Sequence, residues 1–91
     1  DEKIFIYPGI SPYSKETAVV MMADAVEAAS KSLKSITEES LNSLVDNIIN
    51  YLLEQKQMEK ADITFKEISV TKELLKAKLK SIYHNRIEYP E

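Results

Sequence analysis

The sequence predicts an all-α fold of three antiparallel helices. Three observations carry that expectation. Apolar residues recur at spacings of three and four in three separate stretches, Ser or Thr stands where each stretch begins, and short polar segments lie between them. Short connections between helices of this length favour antiparallel neighbours.

Residues 1–13 read as an extended lead-in. Ile4, Phe5, Ile6 and Tyr7 have strand propensity, but Tyr7-Pro8-Gly9 and Ser11-Pro12 interrupt it. Gly9 is the single glycine of the chain, so a position needing unusual backbone angles or close approach is expected there. The segment is expected to be a loop with a defined shape.

The first helix is expected over 14–33, with Ser14 as N-cap and Glu16 near the positive end of the dipole. Ala18, Met21, Met22, Ala25, Val26, Ala29 and Leu33 form its wide apolar face, while Val20, Asp24, Glu27 and Lys31 share one narrow stripe. The second helix is expected over 37–55. Thr37 caps it, Ile36 and Leu41 form a hydrophobic staple, and Leu41, Leu44, Val45, Ile48, Ile49, Leu52 and Leu53 follow in helical period. The third is expected over 64–84. Thr64 and Glu67 have capping-box spacing, and Ile63 with Ile68 supplies the staple. Ile68, Leu75, Leu79 and Ile82 line one face, with Phe65 and Leu74 beside it. Pro90 opposes further helix.

Composition removes several function classes. Ninety-one residues make one small domain, and 44% apolar content suffices for a core. A net charge of −3 and the lack of a basic stripe argue against nucleic acid as a partner. No apolar run reaches the ~20 residues that span a bilayer, and the first residues lack the pattern of a signal peptide. Without cysteine there are no disulfides, thiolate metal sites or cysteine nucleophiles. With one His and one Arg, a self-contained catalytic site is not expected.

One residue stands out. Asp24 sits in Ala18-Val-Val-Met-Met-Ala-Asp24-Ala-Val-Glu-Ala-Ala29, apolar on nearly all sides and therefore expected in an interior. An ionised acid buried without a partner costs several kcal/mol, so Asp24 requires a cation, a hydrogen-bond network or an opening to water. Spacing alone favours a solvated edge, with Glu27 and Lys31 as an i, i+4 pair. His84, Asn85 and Arg86 follow the third helix. Composition favours a helix cap there, the alternative being phosphate recognition by the guanidinium fork. Tyr7, Tyr83 and Tyr89 fit either a core rim or base stacking.

Two strings in order carry a resemblance. The run Tyr7-Pro-Gly-Ile-Ser-Pro-Tyr-Ser-Lys-Glu-Thr-Ala-Val-Val-Met-Met-Ala-Asp24-Ala-Val-Glu-Ala-Ala-Ser-Lys-Ser-Leu33 comes first. Asp62-Ile-Thr-Phe-Lys-Glu-Ile68 with Ile82-Tyr-His-Asn-Arg-Ile-Glu-Tyr-Pro-Glu91 comes second. Together they closely resemble the C-terminal part of the HD domain of membrane-anchored HD-superfamily hydrolases. These are seven-helix membrane proteins of the PgpH type, whose HD domain is a cyclic-di-AMP phosphodiesterase on the cytoplasmic side of the bacterial inner membrane.

The resemblance implies a role for Asp24 as the last ligand of an H…HD…D constellation. That constellation holds a divalent metal pair, typically manganese or iron, which binds phosphate oxygens. Arg86, His84, Tyr7 and Lys31 are then placed toward the substrate, and Glu27 and Gly9 in support of the site. The family's remaining ligands match nothing in this chain. By itself it is therefore expected to be soluble, to bind metal weakly if at all, to be inactive, and to self-associate through faces that meet the rest of the domain in the parent. The competing expectation is a stand-alone helical interaction module that uses the apolar stripe of the second helix. A nucleotide-binding regulator is the weakest reading, for lack of a phosphate-cradling glycine loop.

Overall fold

The computed structural model describes residues 14–55 and 61–89. Three α-helices follow in order, α1 (Lys15–Ser30), α2 (Glu38–Glu54) and α3 (Phe65–Ile82), so the chain is all-α. The expected loop at 1–13, with Tyr7 and Gly9, lies outside the described residues.

Side-chain pairs between the helices give their directions. Lys15 meets Glu67 at the N-terminal ends of α1 and α3, and Ser30 meets Tyr83 at their C-terminal ends. Those two helices therefore run the same way. Lys76 pairs with Asp46, and Lys72 with Asn50, a register that falls along α2 as it rises along α3. Thus α2 runs antiparallel to both and packs against both, an up-down-up arrangement.

Each helix begins at the residue that the sequence marks. Ser14 Oγ accepts from Thr17 N–H at 3.1 Å, which satisfies one orphan donor of α1. Thr37 caps α2 in a capping box whose second member is Ser40, the two bonds both 2.9 Å. Ser40, and not the neighbouring Glu38 or Glu39, closes that turn. The box at Thr64 and Glu67 is as expected, with both bonds at 3.0 Å.

The ends of the helices differ more. α1 stops at Ser30, three residues short of Leu33, because its backbone tightens. Lys31, Ser32 and Leu33 donate to Ala28, Ala29 and Ser30, each three residues back. Leu33 still packs against the core from outside the helix. Beyond α3 a turn brings Arg86 N–H to Tyr83 O at 2.7 Å, and Glu88 N–H then bonds Ile36 O at 2.7 Å. The C-terminal segment is thereby tied to the α1–α2 connection.

The core runs between the three helices: Ala18, Met22 and Val26 from α1, Leu41, Val45, Ile49 and Leu52 from α2, and Ile68, Leu75 and Leu79 from α3, with Ile36 and Tyr83. Full burial of each large aliphatic side chain contributes about 1.5–3 kcal/mol. α3 departs from expectation. Ile82 is 50% exposed, Leu74 64% and Phe65 87%, while Thr71 is buried in their stead. Thr71 sits between Ile68 and Leu75 on the packed stripe, and its hydroxyl donates to Glu67 O at 2.8 Å, so its burial leaves no unpaired donor.

Candidate functional site

Asp24 stands two residues from Met22 and two from Val26, both fully buried. At about 100° per residue that spacing turns Asp24 to the far side of α1, and it is exposed. Asp24 thus lies on the solvated edge that its spacing favours: of the three escapes open to it, α1 uses the opening to water. The helix beneath it is seated by Ala18, Met22 and Val26, so the carboxylate stands on a fixed support.

Glu27 and Lys31 are both exposed, and they form no ion pair with each other although Lys31, the C-cap, keeps helical backbone angles. Among the described residues no group of three or more His, Asp or Glu side chains could hold a metal ion. Asp24 belongs to no such group among them.

The cationic candidates gather elsewhere. Tyr83 is buried and its hydroxyl lies 2.9 Å from Ser30 Oγ, which fixes the end of α3 beside the end of α1. Arg86 stacks its guanidinium 5.4 Å from the Tyr83 ring centroid, a cation–π contact. Lys31 directly follows Ser30, so Lys31 and Arg86 share this end of the molecule. Six residues separate Ser30 from Asp24, about 9 Å along the helix axis. His84 is exposed in the turn after α3, where Tyr83 rather than His84 is the C-cap. The Ser30–Tyr83–Arg86 arrangement is not legible in sequence, because it joins residues more than fifty positions apart.

Shifted ionisations lie away from Asp24. The Thr64 backbone N–H, followed by Lys15, holds the Glu67 carboxyl below its ordinary value. Lys15 is raised, chiefly by its hydrogen bond to Glu67. Lys76 is raised chiefly by its hydrogen bond to Asp46. All three are helix-to-helix or capping contacts, so here perturbed ionisation marks architecture.

Open grooves lie along α2 and between α1 and α3 among the described residues. One, of about 720 Å³, runs along the first half of α2 beneath Glu88 and Tyr89, with Glu38, Glu39 and Asp46 on its wall. The other, of about 480 Å³, opens between Val19 of α1 and Val70 of α3. Asp24 lines neither.

The chain is 46% identical over 90 residues to the cyclic-di-AMP phosphodiesterase PgpH of Bacillus subtilis, covering 99% of this chain and 13% of that protein. It is 37% identical over 90 residues to PgpH of Listeria monocytogenes, covering 99% of this chain and 12% of that one. The crystal structure of the L. monocytogenes PgpH HD domain in complex with cyclic-di-AMP superimposes with a TM-score of 0.76 at 37% identity. The match covers 91% of this chain and 39% of the crystallised one.

The chain is a C-terminal piece of a PgpH-type HD domain.

An uncharacterised protein of Synechocystis is 30% identical over 91 residues, all of this chain and 11% of the relative. No protein-family model matches the chain. The PgpH-type chain thus spans about an eighth of the length of the curated relatives it matches. It also accounts for well under half of the crystallised HD domain.

Proposed function

We propose that this chain completes the metal-dependent phosphodiesterase centre of a parent HD domain acting on cyclic-di-AMP, and that Asp24 is one of its metal ligands. The observation that carries the reading is a water-facing carboxylate in mid-helix, in a chain 46% identical to a cyclic-di-AMP phosphodiesterase.

The donor fits its part and no more. A carboxylate on a seated helix, engaged in no ion pair among the described residues, is a good oxygen ligand for a hard or borderline divalent cation such as manganese or iron. Alone it cannot fix a metal, since sites need several donors in set geometry. The remaining ligands belong to the rest of the parent HD domain, and the isolated chain is inactive on this reading. When bound, a divalent pair supplies Lewis acidity toward phosphoryl oxygens.

The chain's own residues do the supporting work. The buried face of α1 holds Asp24 in place, and the Ser30–Tyr83 contact fixes the end that carries Lys31 and Arg86. Those two cations are suited to a phosphate of the dinucleotide, Arg86 through its planar fork. Among the described residues no helix is long and apolar enough to cross a membrane. In this reading the parent's membrane region lies elsewhere, and the HD domain faces the cytoplasm.

The test uses the complete HD domain containing this chain. Asp24→Asn should remove metal-dependent cleavage of cyclic-di-AMP and lower the metal content of the purified domain. Wild-type cleavage and metal content in that variant would overturn the assignment.

A further inference from the structure

We infer that the exposed apolar seam between α1 and α3 is the surface on which the remaining part of the HD domain docks. The inference rests on the family reading above, but it concerns packing rather than chemistry. Val70, Leu74 and Ile82 fall at i, i+4 and i+12 on one stripe of α3, and all three are at least half exposed. Lys78 stands at i+8 within that stripe, where a methylene stem can cover apolar surface while its ammonium reaches water.

Across the seam Val19 of α1 is exposed and forms the opposite wall of the 480 Å³ groove from Val70. Farther along, Ala23 and Glu27 meet Leu75, Lys78 and Ile82 around a small gap. The face is therefore continuous over two helices. A polar chain of this size has no reason to leave four large aliphatic side chains together in water unless something covers them.

Two observations choose the occupant. The crystallised HD domain matched by this chain is more than twice the part that the chain spans, so a large share of that domain must pack somewhere on these helices. Secondly, Glu27 stands between Ala23 and Asp24 around α1, at about 100° per residue, so the seam borders the metal ligand. Whatever delivers the missing ligands to Asp24 has to rest on this side of α1. The outer surface of α2 offers only Tyr51 as an exposed large hydrophobic.

The chain contains no cysteine, which makes thiol labelling a clean probe. Leu74→Cys and Ile82→Cys are each prepared in the 91-residue chain and in the complete HD domain with its other cysteines replaced. Ser69→Cys, exposed on another side of α3, is the control. The maleimide reaction at positions 74 and 82 should be about tenfold or more slower in the complete domain than in the chain, since a covered thiol reacts only through local opening. Position 69 should react alike in both.

Equal labelling at 74 and 82 in the two proteins overturns the inference. So does protection already present in the 91-residue chain, whether concentration-dependent, as for a second copy, or not, as for cover by the chain's own residues. Cleavage of cyclic-di-AMP by the same complete domain is read separately, so a free seam in an active enzyme defeats this inference and leaves the proposed function intact.

Discussion

The Ser30 hydroxyl lies 2.9 Å from the Tyr83 hydroxyl, joining the last residue of α1 to the C-cap of α3. Ser30 Oγ also donates to Glu27 O at 2.7 Å. A serine hydroxyl has one proton, so with that proton committed the Tyr83 hydroxyl is the donor to Ser30. Both side chains are buried.

Ser30→Ala leaves the buried Tyr83 hydroxyl without its acceptor and should cost about 1–3 kcal/mol in urea unfolding of the chain. Tyr83→Phe removes the donor but leaves Ser30 its bond to Glu27, and should cost only about 1 kcal/mol. The double variant should cost less than the two single losses together. Strict additivity, measured by a double-mutant cycle, would show that the two hydroxyls do not interact.

Glu67 makes the acid limb of stability legible. Its folded value lies below the ordinary 4.5, chiefly because the Thr64 N–H bonds its carboxylate and then because of Lys15. The stabilisation is present above the unfolded value and fades as pH falls through the depressed folded one. Urea midpoints should therefore decline below about pH 4.5, and Glu67→Gln should flatten that decline. Lys15 is raised, so its share persists through neutral pH and is lost only at strongly alkaline pH. Acid limbs that superimpose for the two proteins would remove Glu67 from this role.

Asp24→Ala should separate fold from function. In the 91-residue chain it replaces an exposed, unpaired acid with the best helix former, and should raise stability by up to about 0.7 kcal/mol. In the complete HD domain the same change should abolish cleavage of cyclic-di-AMP. A loss of stability in the isolated chain would mean that Asp24 serves the helix itself.

The two sides of the molecule should respond oppositely to truncation. Ile49→Ala in the fully buried core should cost about 2–5 kcal/mol, a large part of the stability of so small a domain. Leu74→Ala on the exposed seam should change stability by no more than about 0.5 kcal/mol in this chain. Thermal unfolding of the two variants compares them directly, and a destabilised Leu74→Ala would indicate that the seam is already covered.

How much of this was legible beforehand depends on the reach of each interaction. The caps at Ser14, Thr37 and Thr64 were readable because a cap bonds only two or three residues ahead. The stripe Leu41, Val45, Ile49 was readable because period alone sets it. Ser40 as the partner of Thr37 is not legible, since the usual signature of a capping box has Glu or Gln at that position. The places of Ile82, Leu74 and Phe65 could not be read, because an apolar residue beside a core stripe turns inward only where a neighbour faces it.

Asp24 shows the same division. Its identity and its likeness to a metal-ligand position were matters of sequence, and the resemblance to PgpH-type HD domains was carried by strings of residues. Its exposure was decided by the rotation of α1 against α2 and α3, which places Met22 and Val26 inward and leaves Asp24 facing water. Helical type, caps and family follow from local chemistry along the chain. Which side of each helix is covered depends on contacts between residues far apart in sequence, and only the assembled helices determine those.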